Sequence, residues 1–579
     1  MNKPEEFLRF FKCILSKTII LPFLLVYLVF SCNSSPNPDD TDRPRSSESG
    51  RPSSALSLLQ ELQNNVELGS PASLVRAADL LRGQEIFEQE KALGAIAAAL
   101  IRYVYSDFEL HFPVLELSAG APYQNIIRNA ERNQYTAPSS GSRDFLEHIL
   151  PFIVFYIQEN SGRIDMDRMR NAIPHLNRAV QLNNASVLPH LFLGFALERT
   201  QEHDRAIAAY RRALELDRSC YPAAVGLARL YYTQRRYNEA LTLLTAVPQP
   251  YNGTLSVQKQ LARVYAELGE YRQADALITE ILRQNNRDGE FLLLRAKILL
   301  DQGFFQQAQQ PLDIYTSIDN RDRRYILLRA RLQAEGLRNR DAAINLLRPL
   351  FRSDPLDSET AIYLASLLME SARSEDMDEG RQIVSSLLAN AQVSPEALSL
   401  AAADSVMQEN WREAKVYLDR LLPIRRNTPD LLNAWRTERA LGNNAAALSY
   451  GRELYNRDNT NDDAVNALVI SLIDTGRQAE AGRIIEQRLA SVPGGAGRSQ
   501  YFFLRSRTRT DENTVLNDLR SALFEDPRNL DALIAMFEIY HRRRDERRAV
   551  YYLRQALAIA PDHPQLRRFE LEYRDRMNN

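Results

Sequence analysis

One stretch of this chain occurs twice in similar form, at a fixed spacing along the sequence. The segment "LARLYYTQRRYNEALTLL" covers residues 227–244, and the similar segment "LARVYAELGEYRQADALI" covers residues 261–278. We call the spacing from position 227 to position 261 the repeat period. A repeat of this length is a small structural unit that buries its apolar face only against its neighbours. We therefore expect a stack of similar units rather than the three or four separate domains that 579 residues would otherwise suggest.

The same period continues beyond the first two copies. Small residues recur in two registers and an aromatic residue recurs in a third, and the members are Ala228, Ala262, Ala296 and Ala330, then Ala240, Ala274 and Ala308, then Tyr237, Tyr271 and Phe305. Upstream, Gly194, Ala206, Tyr210 and Ala213 follow the same order of residue types. Small side chains are required where two helices cross closely. The pattern therefore predicts paired helices.

Turn signals lie where such a pair would need them. Gly269 and Gly303 fall between the two predicted helices of their units, where a left-handed helix cap favours glycine. Pro493, Pro527 and Pro561 close successive units at the same spacing, and proline is poorly tolerated inside a helix. These residues mark where helices end.

Taken together, the period and the small-residue crossings resemble the tetratricopeptide repeat, TPR, whose unit is about 34 residues long. The resemblance implies an all-α superhelical solenoid of antiparallel helix pairs with about 11 to 12 repeats. The unit at 323 has one extra residue before Ala343, and the unit at 358 carries the insert "ARSEDMDEG". We place unit starts near residues 187, 221, 255, 289, 323, 358, 395, 428, 462, 499 and 530, with a weaker unit over 142–186 that carries Ala172 and Ala179.

The N-terminus has the pattern of a targeting segment. Basic residues precede the apolar run "TIILPFLLVYLVF", which is too short for the roughly 18 to 20 residues of a spanning helix. The following "VFSC", Val29 to Cys32, resembles the lipobox of bacterial lipoproteins in the relaxed form of spirochaetes. That resemblance implies cleavage before Cys32 and attachment of lipid, such as palmitate, to its thiol. The alternative is an ordinary signal peptide or an uncleaved anchor with a cysteine by chance.

These patterns divide the chain into five regions. They are a lipoprotein signal peptide at 1–31, an acylated cysteine and flexible tether at 32–54, a helical region at 55–141 that is divergent or TPR-like, the solenoid at 142–563 and a capping helix at 564–579. The tether has no aliphatic residue to bury. Residues 107–141 break the repeat pattern, and the alternatives for them are an ordered loop against the superhelix and a flexible insert. With Cys32 acylated, Cys220 is a lone thiol that serves packing.

Signatures of catalysis and metal binding are absent from the sequence. There is no HExxH, no CxxC pair, no GxxxxGK[ST] and no GxSxG, and the seven histidines are scattered. The Gly-rich "GGAGRS" at 494–499 reads as a linker between repeats. Trp411 and Trp435 fall at packing positions of the repeat. We therefore expect no enzyme, no cofactor and no metal.

Charge gives little support to nucleic-acid binding. The formal net charge is -2, whereas a protein that coats a polyanion needs a clear basic surplus. The densest basic run, "HRRRDERRAV" at 541–550, contains Asp545 and Glu546 and falls at a predicted turn between two helices. A solvated hairpin is the favoured interpretation of this run, and a nucleic-acid contact is the alternative.

One repeated feature has no packing reason. Position nine of the first helix is basic in four consecutive units, at Arg229, Arg263, Lys297 and Arg331, each one repeat period after the last. The TPR resemblance places this position on the concave groove, where four cations would line about 30 Å if neighbouring helices lie about 10 Å apart. Such a stripe would attract an acidic peptide. Alternatively, position nine is only a solvent-facing site in an arginine-rich chain.

The sequence therefore predicts a non-enzymatic interaction scaffold that binds proteins or peptides in its groove. Its lipid would hold it at the cell envelope, in the outer membrane on the periplasmic face or the cell surface, with a role of the envelope-assembly type. A surface adhesin for host ligands is the alternative, and an enzyme hidden in residues 107–141 is a third class. Fold resemblance does not choose among these roles.

Overall fold

A computed structural model describes residues 53–82, 86–107, 141–153, 165–389 and 393–573, together with the isolated positions 125, 128–129 and 132. The chain divides into two compact units, residues 1–63 and residues 64–579. Only residues 53–63 of the first unit are described. The predicted signal peptide, Cys32, nearly all of the tether and most of residues 107–141 lie outside the described residues.

Helices make up the regular structure throughout the described ranges, which contain no strand. The N-terminal helices are α1 (Ser53–Leu68), α2 (Pro71–Leu80), α3 (Glu88–Tyr103), α4 (Phe145–Ile149) and α5 (Met166–Leu182). Helix α4 continues into a single 3-10 turn at Leu150–Phe152. The all-α prediction is confirmed.

Eleven pairs of helices follow in regular order within the second unit. They are α6 (Val187–Arg199) with α7 (His203–Leu216), α8 (Tyr221–Thr233) with α9 (Tyr237–Thr245), α10 (Leu255–Glu267) with α11 (Tyr271–Gln284), α12 (Gly289–Asp301) with α13 (Phe305–Thr316), α14 (Arg323–Arg331) with α15 (Arg340–Ser353), α16 (Ser358–Met369) with α17 (Ser374–Leu388), α18 (Pro395–Met407) with α19 (Trp411–Leu421), α20 (Thr428–Ala440) with α21 (Asn444–Arg457), α22 (Asp462–Asp474) with α23 (Gln478–Ser491), α24 (Ala496–Ser506) with α25 (Glu512–Glu525), and α26 (Leu530–Arg542) with α27 (Glu546–Ile559). Each first helix begins within three residues of its predicted start. Short turns join the two helices of a pair, and each pair packs on the next, which is a solenoid.

The recurring small residues lie where the helices cross. Ala228, Ala262, Ala296 and Ala330, and likewise Ala240, Ala274 and Ala308, are fully buried. Tyr210 shows how little room these crossings leave, because its ring lies between Gly194 and Gly226. A Cβ atom on either glycine would come within 2.5 Å of a Tyr210 ring carbon. The repeat therefore needs small residues at the crossings for reasons of space.

The turns between paired helices use a left-handed residue at a fixed position. Gly269 and Gly303 have φ of +75° and +76°, while Gln201 and Arg235 occupy the same place with φ of +66° and +60°. The closing prolines stand two residues after the ends of α23, α25 and α27. Both kinds of turn signal are thus confirmed, although the left-handed position does not always carry glycine.

The extra residue in the unit at 323 is absorbed inside a helix. Residues Leu332–Gly336 form one π-helical turn directly after α14. A π turn takes up a single inserted residue without breaking the helix, so the register of the following units is kept. Position 336 leaves no room for a side chain, because a Cβ added to Gly336 would lie 2.7 Å from Cβ of Phe305.

The last helix, α28 (Pro564–Glu572), packs on the final pair. Leu566 and Tyr573 are buried in the same core as Phe537 and Leu553. The ring of Phe569 meets Phe537 edge-on, with 4.8 Å between centroids. The apolar side of α28 thus shields the end of the stack.

Residues singled out for packing behave as packing residues. Trp435 is buried, and its indole N–H donates to Oγ of Ser471 over 2.8 Å. Trp411 packs against the same core. Cys220 is a free, fully buried thiol, and burial raises its pKa to about 12. A thiol held neutral in this way is unreactive.

Candidate functional site

A long groove crosses five successive units of the solenoid. Its volume is about 890 Å³, and its lining comes from the first helices α8, α10, α12, α14 and α16 and from the π turn. The charged lining residues are Arg229, Arg263, Glu267, Glu290, Lys297, Arg323, Arg324, Arg331, Glu335 and Glu359. The other lining residues are Tyr232, Gln260, Leu293, Leu294, Leu327, Leu328 and Tyr363. We refer to this set as the groove.

All four position-nine cations line this groove. Arg229, Arg263, Lys297 and Arg331 come from four consecutive first helices, which the repeat period places side by side. The structure thus brings the four residues together on one surface. The remaining predicted site residue, Cys32, lies outside the described residues.

Each of these cations is already paired with a carboxylate. Lys297 Nζ lies 2.9 Å from Glu267 Oε1, and Arg331 Nη1 lies 2.5 Å from Asp301 Oδ1. Both pairs join a residue to an acid one unit earlier. The stripe of cations is therefore part of a charge ladder between neighbouring helices, and its positive potential is partly neutralised.

The first two members of the stripe find other partners. Arg229 makes a bidentate pair with Glu198, at 2.6 and 2.8 Å. Arg263 makes a bidentate pair with Glu290, at 2.5 and 2.7 Å. The position that corresponds to Glu267 in the preceding unit is occupied by Thr233, which has no charge. Arg263 therefore pairs with Glu290 on α12, the first helix of the next unit, instead.

Reasoning from the sequence missed this acidic ladder, although a signal for it was present. Glu267, Asp301 and Glu335 recur at the same repeat period, four positions after Arg263, Lys297 and Arg331 in each unit. Residues four apart share one helix face, so an acid and a base with the same period must lie on the same side of the stack. Reading the two periods together would have predicted a groove of ion pairs.

Between the charges the groove has an apolar floor. Leu294, Leu327, Leu328 and Tyr363 are half-buried, so part of each side chain reaches the groove surface. Leu293 lies beneath them and is buried. Half-buried leucines in a concave surface gain free energy when a ligand covers them, at about 25 cal/mol per Å². The floor is thus suited to apolar side chains.

Two polar groups of the groove lack partners among the described residues. Gln260 is 1% exposed, and its Nε2 has no hydrogen-bond acceptor although its Oε1 accepts from Arg263 Nη1 over 2.7 Å. The Tyr363 hydroxyl is also buried and unpaired. Burial, with the nearby charge of Glu335, raises the pKa of Tyr363 to about 12. Unpaired buried polar groups are costly, so each has free energy to gain from an added partner.

Burial also raises the pKa of Tyr232, and the charge and hydrogen bond of Glu267 add to this effect. Its hydroxyl donates to Glu267 Oε1 over 3.3 Å, and the same carboxylate oxygen receives Lys297. Tyr232, Glu267 and Lys297 thus form one connected network across three helices. Both tyrosines of the groove stay neutral and able to donate at physiological pH.

The described residues contain no group of three or more His, Cys, Asp and Glu side chains placed to hold a metal ion. Among the helices that can be described, none is both long and apolar enough to cross a bilayer. The arrangement offers binding by shape, apolar contact and hydrogen bonds.

This chain is similar to known proteins in sequence and in structure. Two family models described as tetratricopeptide repeat match residues 199–265 and residues 259–319. No curated protein matches the chain. The matched residues include the first three units of the groove.

Several solved structures are similar to the chain. A chain in the structure of the APC/C hetero-tetramer Cut9-Hcn1 has 12% sequence identity to this chain and a TM-score of 0.46. The match covers 86% of this chain and 98% of that chain. A tetratricopeptide repeat protein from Parabacteroides merdae is 15% identical over 44% of this chain and 98% of its own, with a TM-score of 0.37. PilF of Pseudomonas aeruginosa is 24% identical over 38% of this chain and 97% of its own, with a TM-score of 0.33.

Three observations indicate the same kind of repeat. They are the regular repeat period, the buried small residues at the helix crossings and the two family matches. Proteins built from this repeat are interaction scaffolds. Residues 199–319 of this chain therefore match the tetratricopeptide repeat, and the described residues between 187 and 559 form eleven helix pairs that stack as a solenoid.

Proposed function

We propose that this protein is a lipid-anchored scaffold of the cell envelope that binds an extended segment of a partner protein in the groove. The observation that carries the proposal is the lining itself, in which half-buried leucines from the two units of α12 and α14 lie among ion pairs that continue along the groove. A surface of this kind rewards a ligand that offers apolar side chains and polar groups in turn.

The ion pairs define what a partner must offer. An acidic side chain of the partner competes with Glu290 for Arg263 or with Glu267 for Lys297, so acidity alone gives little net affinity. We propose that the partner is acidic at intervals and places apolar residues on Leu294, Leu327 and Leu328. A main-chain carbonyl of the partner would also accept a hydrogen bond from Gln260 Nε2, if it displaced the Arg263 side chain that bonds to the same glutamine.

Placement at the envelope rests on the N-terminal sequence. We propose that Cys32 carries the lipid and that residues 33–54 hold the solenoid away from the membrane. The periplasmic face of the outer membrane fits a role in envelope assembly, and the cell surface fits an adhesin.

The groove is tested by photo-crosslinking from its floor. A photoreactive benzoylphenylalanine replaces Leu294 or Leu327 in the full-length chain inside cells, and the matched control positions are the exposed Leu356 and Val416. We expect discrete protein adducts from the two groove positions and none of the same mass from the controls. The same adducts from all four positions would contradict binding in the groove.

The charge ladder is tested by turning one ion pair around. Lys297→Glu with Glu267→Lys keeps a pair between the same helices and inverts its direction, and exposed pairs of this kind contribute only about 0–1 kcal/mol to folding. We expect the adduct from Leu294 to fall about fivefold or more, while Arg272→Glu with Arg283→Glu on α11 leaves it unchanged. An unchanged yield of the Leu294 adduct in the variant with the inverted pair would show that the partner does not contact Glu267 or Lys297 through their charges.

Anchoring and exposure are tested together. Cys32→Ala should abolish incorporation of an alkyne-labelled palmitate and release the chain from the membrane fraction. Protease added to intact cells should leave the chain whole if it faces the periplasm and should cleave it if it is an adhesin. Labelling that persists in Cys32→Ala would contradict the lipid assignment.

A further inference from the structure

A second cavity lies far along the stack from the groove and belongs to other helices. Its volume is about 680 Å³, and it is lined by Arg520, Tyr540, Asp545, Arg547, Arg548, Tyr551 and Tyr552. Most of these residues come from the second helices α25 and α27, whereas the groove is built from first helices. The cavity includes part of the basic run at 541–550 that the hairpin interpretation treated as solvated.

Tyrosine rings form one wall of the cavity. Tyr540 and Tyr552 are parallel, with 5.7 Å between ring centroids and 1° between planes. Tyr551 meets Tyr552 edge-on at 5.1 Å and is 58% exposed. The Arg548 guanidinium lies 5.3 Å from the centroid of Tyr540. Tyr540 is buried, so the wall is fixed to the core and holds Arg548 in place.

The cavity has three guanidinium groups and one carboxylate. Asp545 caps helix α27, where its Oδ1 accepts from the Arg548 amide over 3.2 Å, and its Oδ2 lies 3.5 Å from Arg548 Nη1. Arg520 donates to Asn517 Oδ1 over 3.2 Å. Within the described ranges, neither Arg520 nor Arg547 forms an ion pair. The groove cations are paired, and these two are available.

We propose that this cavity binds a phosphate monoester. The three terminal oxygens of such a group accept from several guanidinium forks at once, which a single carboxylate cannot do. The volume is in the range of small-molecule sites, and the exposed ring of Tyr551 offers a surface for the organic part of the ligand. A soluble organic phosphate and the headgroup of phosphatidic acid both present a phosphate monoester, so the source is decided by experiment.

Titration calorimetry on the purified full-length chain tests the proposal with phenyl phosphate as the probe. We expect phenyl phosphate to bind more tightly than inorganic phosphate, because only the former covers Tyr551, and we expect phenol to give no signal. Arg520→Gln with Arg547→Gln should weaken binding of phenyl phosphate at least about tenfold, since each removes charge-assisted hydrogen bonds. Arg528→Gln with Arg542→Gln removes the same charge from nearby exposed positions and should change nothing.

A second arm separates the two sources of phosphate. Co-sedimentation with vesicles of phosphatidic acid, whose headgroup is a phosphate monoester, in phosphatidylcholine should fall in Arg520→Gln with Arg547→Gln if the headgroup is the ligand. Vesicle binding equal to that of the control variant assigns the site to a soluble organic phosphate. Absence of phenyl phosphate binding to the folded chain contradicts the proposal, as does equal weakening by the control variant. Binding of a single-stranded oligonucleotide without binding of phenyl phosphate would contradict it too.

Discussion

At the scale of single residues, the ion pairs between neighbouring units are the features that respond to pH. Asp357, just before α16, accepts two hydrogen bonds from Arg323 at 2.5 and 2.7 Å and one from the Thr360 hydroxyl at 2.5 Å. The hydrogen bonds from Arg323 lower the pKa of Asp357 to about 2, against the opposing effect of burial. Arg323 and Asp357 are one repeat period apart, so this pair joins two consecutive units.

We expect Asp357→Asn to destabilise the solenoid by about 1 kcal/mol at pH 7. The lowered pKa of Asp357 means that its ionised form stabilises the folded state. The partial exposure of Arg323 to solvent weakens the ion pair and keeps this contribution small. The folded-state pKa lies below the unfolded value of about 3.9, so this term is complete above pH 4 and disappears as the pH falls toward 2. Urea midpoints of wild type and variant should therefore converge over that range.

The exposed Asp463, which forms no ion pair among the described residues, supplies the control. Asp463→Asn should leave the wild-type midpoint nearly unchanged at every pH. A difference between wild type and Asp357→Asn that stays constant from pH 7 to pH 3 would contradict the assignment of the shift to Arg323.

At the scale of elements, the unit depends on a turn that needs one left-handed residue. Four consecutive units place Gln201, Arg235, Gly269 and Gly303 there. A non-glycine residue in this conformation costs roughly 1 kcal/mol. An added Cβ at Gly303 would meet nothing within 4 Å, so only the backbone matters at this position.

We expect Arg235→Gly to stabilise the chain by about 0.5–1 kcal/mol and Gly303→Ala to destabilise it by about 1 kcal/mol. Arg235→Ala removes the same side chain without relieving the backbone, so it should give no gain. Thermal unfolding of the three variants measures these effects. A gain in Arg235→Ala equal to that in Arg235→Gly would mean that the side chain and not the turn is responsible.

At the scale of the whole molecule, a solenoid has ends that need covering, because each pair buries its apolar face only on the next. Helix α28 covers the last pair with Leu566, Phe569 and Tyr573. The hydroxyl of Tyr573 also lies 2.6 Å from Nδ1 of His541. Burial of three such side chains is worth several kcal/mol.

We expect a chain ending after Ala560 to lose local stability in residues 530–559 by about 3–5 kcal/mol, because the core around Phe537 opens to solvent. Hydrogen exchange should accelerate there and change little in units far along the stack, since coupling passes only between neighbours. A chain ending after Tyr573 keeps the helix and should exchange as the full-length chain does. Uniformly faster exchange in all units would contradict this view of the stack.

Much of the fold was predictable because its signals are local. The alanine registers, Gly269 and Gly303, and the prolines from Pro493 onward each act within one helix or one turn. Their repetition at one spacing made the signal stronger than any single copy. The π turn at Leu332–Gly336 was not predictable in kind, since an extra residue is equally compatible with a longer turn.

The site was predictable only in part. The common period of Arg229, Arg263, Lys297 and Arg331 was sufficient to indicate one shared surface. Their pairing was not predicted, and neither was the cavity of Arg520 and Arg547, because each depends on side chains from more than one helix.

The sequence by itself determined where the helix pairs from residue 187 onward begin and how their helices cross, because a repeat of this length allows only small residues where its helices meet. The tertiary structure alone decided which carboxylate each groove cation pairs with. Each position-nine cation meets a carboxylate 27 to 31 residues away, and that meeting depends on how neighbouring units stack. Periodicity places the side chains on a face, and stacking chooses their partners.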